Sequence, residues 1–91
     1  MRNEDLRFKS KERKTREQSS EFLHQLAEKL PDGKVTLKQG QEEVNLNLPA
    51  NVTLEIEVEE KKKRKKGIQH KLEVTLKWYE GDDESGPVEL G

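Results

Sequence analysis

The sequence predicts an α+β protein of two layers: one amphipathic helix packed on one face of a mostly antiparallel five-stranded sheet, in the order β-α-β-β-β-β. Two observations carry that expectation. Apolar residues recur at helical spacing only between Phe22 and Leu30. From Val35 to Trp78 the rhythm changes to strict alternation, the period of a strand with one buried face.

The first element in order is residues 6–10, Leu6-Arg7-Phe8-Lys9-Ser10, where apolar and polar side chains alternate and a short strand is expected. Thr15 then has the position of a helix N-cap. Its hydroxyl can accept from a first-turn amide, while Gln18 reaches back to close a capping box. Phe22, Leu23, Leu26, Ala27 and Leu30 form one apolar stripe, with Glu17, Glu21, Gln25 and Glu28 facing water. Pro31 cannot continue a helix and Asp32-Gly33 supplies a turn, so the helix is expected over residues 16–30.

Val35 and Leu37, then Val44, Leu46 and Leu48, alternate on either side of Gln39-Gly40-Gln41, which predicts a hairpin. Pro49-Ala50-Asn51 interrupts the ladder, because proline has no amide hydrogen. Val52, Leu54, Ile56 and Val58 share one face of the next strand, and Glu55, Glu57 and Glu59 share the other. The last strand places Ile68, His70, Leu72, Val74, Leu76 and Trp78 on one face, opposite Lys71, Glu73, Thr75, Lys77 and Tyr79. A loop over residues 61–67 would join these two strands. If the hairpin is symmetric about that loop, Glu57 faces Lys71. The expected domain spans residues 6–79, between a flexible N-terminus (1–5) and a disordered acidic tail (80–91).

Leu37-Lys38-Gln39-Gly40, the Glu-alternating strand from Leu54 to Glu59, and above all Leu72-Glu73-Val74-Thr75-Leu76-Lys77-Trp78 resemble the amphi-Trp domain family. Glu21-Phe22-Leu23 and Leu26-Ala27 fit the same pattern. The resemblance runs from Phe8 to Trp78. It implies a stand-alone domain, and it brings no activity, cofactor or site residue with it.

Composition bounds the function classes. The chain has 91 residues, no cysteine, 29% hydrophobic and 41% charged residues, and a formal net charge of −1. Charged residues ordinarily make up about a quarter of a protein. Patterned apolar positions and near-zero net charge favour a folded chain with a charged skin. Disulfide and thiolate chemistry are excluded. No stretch has the length of a membrane span and the N-terminus lacks a signal-peptide core, so a cytoplasmic location without membrane association is expected.

Catalytic machinery is not expected. His24 and His70 lack helical metal-ligand partners and are read as edge-of-core residues. Glu55, Glu57 and Glu59 stand about 6.5–7 Å apart along a strand, too far for tight shared coordination, and are read as a solvated face balanced by Lys71 and Lys77. Trp78, Phe8 and Phe22 are read as core, with ligand stacking by Trp78 the less favoured alternative. No cofactor is expected.

Two surfaces remain. A helix of fifteen residues is about 22 Å long and 10 Å wide, whereas five strands make a sheet about 24 Å across. One helix covers about half of that face, so either the sheet curls around it or another molecule covers the rest. The leading expectation is therefore a non-enzymatic interaction module, self-associating as a homodimer or meeting a protein partner. The second is the basic run Lys61, Lys62, Lys63, Arg64, Lys65 and Lys66, a candidate site for non-specific nucleic-acid or polyanion binding. Nucleic acid is the less favoured, because aromatic side chains for base stacking are nearly lacking. Lys9, Lys11, Arg13, Lys14 and Arg16 could extend the patch, and the acidic tail could neutralise it.

Overall fold

The computed structural model describes residues 4–81 and divides into two compact units at the Leu48–Pro49 junction. The class is α+β, with one helix and four strands. The strands form two separate two-stranded antiparallel sheets rather than one of five.

In the first unit, helix α1 spans Arg16–Lys29 and packs against strand β1 (Lys34–Gln39), which pairs with β2 (Glu42–Asn47). The helix begins where its cap dictates. The Thr15 hydroxyl accepts from the Gln18 N–H at 3.0 Å, and Gln18 Oε1 accepts from the Thr15 N–H at 3.0 Å. Both bonds satisfy amides that the first helical turn leaves without partners. Thr15→Ala should therefore lower the stability of this unit by about 1 kcal/mol. A shift in the urea midpoint of the helical circular-dichroism signal checks this, and an unchanged midpoint refutes it.

A single 3-10 turn, Leu30–Asp32, ends the helix with Pro31 at its start. Gly33 follows at φ 75°, donating its N–H to Leu30 O at 2.9 Å and accepting the Leu48 N–H at 2.7 Å. One glycine thus closes the helix and ties its end to the chain leaving β2. The β1–β2 loop is the two residues Gly40-Gln41, with positive φ confined to Gly40 (60°), the pattern of a type II′ turn. Val35 pairs with Leu46 and Leu37 with Val44 on the inner face. Val35 and Val44, at 4% and 5% exposure, are the buried apolar residues of the described chain.

Residues 6–10, expected as a strand, have no regular structure. Two alternating apolar side chains provide no ladder partner, and the adjoining segment is held through side chains. Glu12 takes an ion pair from Lys14 at 3.0 Å and a hydrogen bond from Gln39 at 3.3 Å. Phe22 was expected in the core but is half exposed; with Phe8 it lines an open cleft of about 430 Å³.

The second unit is a long hairpin of β3 (Thr53–Lys63) and β4 (Gly67–Lys77). Its register differs from the symmetric-loop expectation. Glu57 faces Glu73, and Lys71 faces Glu59. Gly67, at φ 85°, supplies the left-handed residue that closes a tight turn at residues 64–66. The strand therefore runs on through Lys61, Lys62 and Lys63, and the pairing moves by two residues. Among the tail residues Glu80 and Gly81 fall in a turn; 82–91, like 1–3, lie outside the described residues.

Candidate interaction surfaces

The register sorts the hairpin into two faces. On one, Leu54 pairs with Leu76, Ile56 with Val74 and Val58 with Leu72; beyond them toward the turn come Glu60–His70 and Lys62–Ile68. On the other lie Glu55, Glu57, Glu59, Lys71, Glu73, Thr75 and Lys77.

The charged face is knitted together. Lys77 pairs with Glu55 at 2.5 Å, and Lys71 with Glu73 at 2.5 Å and Glu59 at 3.8 Å. Glu57 and Glu73, like charges directly opposed, are thus tolerated because Lys71 stands among the carboxylates. The Lys71 ammonium is raised above its ordinary pKa of 10.5, first by its hydrogen bond to Glu73 and then by the charges of Glu73 and Glu59. Lys77 is raised likewise by its hydrogen bond to Glu55 and by the charge of Glu55.

These shifts have a pH consequence. A lysine whose folded pKa lies above its unfolded value stabilises the fold fully below the unfolded value, near 10.5, and ceases to as pH rises through the folded one. The hairpin should therefore soften only above pH 10.5, with a small effect because both groups are solvent-exposed. Strand circular dichroism from pH 9 to 12 checks it; softening that sets in well below 10.5 contradicts it.

On the apolar face the usual relation of burial to polarity is inverted. Leu54, Ile56, Val58, Ile68, Leu72 and Val74 are each 56–73% exposed, whereas Glu55 and Glu73 are half-buried. His70 is exposed on this face, with Nδ1 3.4 Å from Glu60. His24 is exposed on α1, 2.8 Å from Glu28. Neither histidine is the core-edge residue that alternation suggested; each sits beside a carboxylate at the surface. Trp78 is half-buried and lines an open cleft of about 750 Å³ at the base of the hairpin, with Asn51, Val52, Glu55, Leu76 and Tyr79.

The six basic residues fall at the tip. Lys61, Lys62 and Lys63 lie in β3, and Arg64, Lys65 and Lys66 form the turn, so the expected loop is half strand. Alternation sends Lys61 and Lys63 to the charged face and Lys62 to the apolar one. None of the six takes an ion pair among the described residues. Lys9, Lys11, Arg13, Lys14 and Arg16 belong to the first unit and the tip to the second. Among the described residues no three His, Asp or Glu side chains group as metal ligands, and no helix is long and apolar enough to cross a membrane.

An alternating strand that closes on a tryptophan, opposite a Glu-alternating partner, is now in place as one hairpin. The family model of the amphi-Trp domain matches residues 1–91. The chain belongs to the amphi-Trp domain family. The match covers the ends as well as the patterned middle. Comparison with curated proteins and with solved structures yields no match.

Proposed function

We propose that this amphi-Trp protein is a non-enzymatic interaction module that self-associates through the apolar face of the β3–β4 hairpin. The exposure of Leu54, Ile56, Val58, Ile68, Leu72 and Val74 on one face carries the reading. Six aliphatic side chains more than half exposed present on the order of 600 Å² of apolar surface, the upper end of what a lone soluble chain displays. A two-stranded ribbon is marginal in water until its apolar face is covered. Two copies face to face would hide about 1,200 Å², the size at which specific interfaces become stable. Light scattering across a concentration series tests it. The expected mass is twice the 10.6 kDa of the chain, and a monomer at the highest concentration overturns it.

A second reading is favoured by the absence of ion pairs at the tip among the described residues. Six cations without an ion pair among the described residues would hold a phosphate backbone without regard to sequence, and lose it steeply as salt rises. Replacing Lys62, Arg64 and Lys66 with Ser should then abolish retention on immobilised DNA or RNA at low salt. A parent protein that is not retained ends this reading.

A further inference from the structure

We propose that the outer edge of β3 docks the β3 of a second copy, the two strands running antiparallel about Glu59. The two hairpins then join as one four-stranded sheet, in the order β4-β3-β3-β4. This contact is separate from the one through the apolar face and leaves that face free.

The unused edge is the starting point. Among the described residues β3 bonds to β4 on one side and to no strand on the other. An edge of eleven residues carries a row of peptide groups able to take another strand. Charges commonly guard such an edge against foreign strands. In β3 they fall in two blocks: four glutamates from Glu55 to Glu60 toward the base, then Lys61, Lys62 and Lys63 toward the tip. Reversed, the strand is therefore complementary to itself. A parallel copy in the same register would set like on like.

The same charges choose the register. A two-fold axis normal to the sheet keeps the two charged sides together, so odd-numbered residues face odd-numbered ones. About Glu59, Glu55 faces the partner's Lys63 and Glu57 faces the partner's Lys61, each twice over by symmetry. Residues 55–63 of each strand are then paired without entering the turn at 64–66. On the apolar side Ile56 and Val58 face the partner's Lys62 and Glu60, which sets no like charges directly opposite. Moving the axis to Val58 sets Glu57 against the partner's Glu59 twice. Moving it to Glu60 shortens the ladder to 57–63 and leaves Glu55 facing the turn.

The hairpin's own ladder supports the choice. Glu57 lies opposite Glu73 and takes no ion pair among the described residues, and neither do Lys61 and Lys63. Across the joined sheet that row reads Glu73, Glu57 and the partner's Lys61, which brings a cation beside two opposed carboxylates. The one like pair this register creates is Glu59 against the partner's Glu59. It is flanked in each copy by Lys71, which lies opposite Glu59 in β4 and 3.8 Å from its carboxylate.

The experiment uses the full chain, which has no cysteine of its own. In Glu59→Cys the two thiols of a joined pair stand on Cα atoms about 4.5–5.5 Å apart, within disulfide range. Mild oxidation at low salt should link two chains there. Glu57→Cys and Lys61→Cys should not link alone, each lying about 14 Å from its own copy, but should link when mixed. That mixture leaves Glu59 and Lys71 in place, so loss of their contact does not affect it. Salt at about 0.5 M should cut the Glu59→Cys yield at least about fivefold by screening the ion pairs. No link at 59, or equal links at 57, 59 and 61, overturns the proposal, and an unchanged yield in salt overturns the charge pairing. A link formed only between Glu59→Cys and a β4 cysteine such as Glu73→Cys shows that the other edge docks there, and overturns it as well. Residue 59 is on the charged side, so copies joined only by their apolar faces cannot give this link. The link together with a monomeric mass in high salt leaves the edge contact standing and removes the face contact. A doubled mass in high salt without the link does the reverse.

Discussion

If the protein self-associates through this face as proposed, replacing Ile56 and Val74 together with lysine should convert it to a monomer. These residues form the middle cross-strand pair of the exposed aliphatic face, and each is 63% exposed. A two-fold contact uses both from each copy, so four branched side chains lose their burial. At about 1 kcal/mol each for the part that is now exposed, the loss is about 4 kcal/mol, a factor of about 1,000 in Kd. Burying the new ammonium groups would add to it. The parity control is Glu57→Lys, one residue along β3 on the opposite face, which should leave the mass unchanged. Strand circular dichroism separates loss of pairing from loss of the hairpin. A double variant that still doubles its mass would show that the interface lies elsewhere.

Gly33→Ala should be the most damaging single-methyl change in the first unit. A side chain at φ 75° costs about 1–2 kcal/mol by itself. At Gly33 the added Cβ would also meet Leu48 O at 3.0 Å, and that atom belongs to backbone. Leu48 cannot retreat freely, because its own N–H is bonded to Gly33 O at 2.7 Å. The expected loss is about 2–3 kcal/mol, or more than about 10 °C in Tm for a unit of this size. Gly40→Ala supplies the comparison. Its φ is also positive (60°), but nothing lies within 4 Å of the added Cβ, so only the backbone strain remains. Equal losses at the two positions would show that the contact with Leu48 contributes nothing.

Features governed by a few neighbouring residues could be read directly. The Thr15–Gln18 capping box, the stop at Pro31 and the Gly40 turn each depend on contacts within four residues. The faces of the long hairpin were equally legible, even though its register was not. Glu57 meets Glu73 instead of Lys71, a shift of two residues that changes every partner and leaves every side chain on its face. Residues 61–67 do not form a symmetric loop: the strand continues to Lys63, and Gly67, at positive φ, pairs with it where the chain has reversed. The signal was present in the sequence, as a glycine directly after the last cation. The basic run falls at the end of the hairpin, divided between strand (61–63) and turn (64–66) by that same glycine.

The amino-acid order by itself determined the helix and the strands of both hairpins, which side chains share a face, and how charge is segregated along the chain. Each of these follows from the pleat, the helical turn or a local hydrogen bond, all short-range. Only the tertiary structure decided that the strands pair as two separate ribbons, that residues 6–10 join neither, and that the aliphatic face of β3–β4 is exposed. Alternation states that a strand has an inner face, but not which edge it bonds to or what covers it. That choice is made among contacts far apart in the chain, whose free energies no local pattern contains.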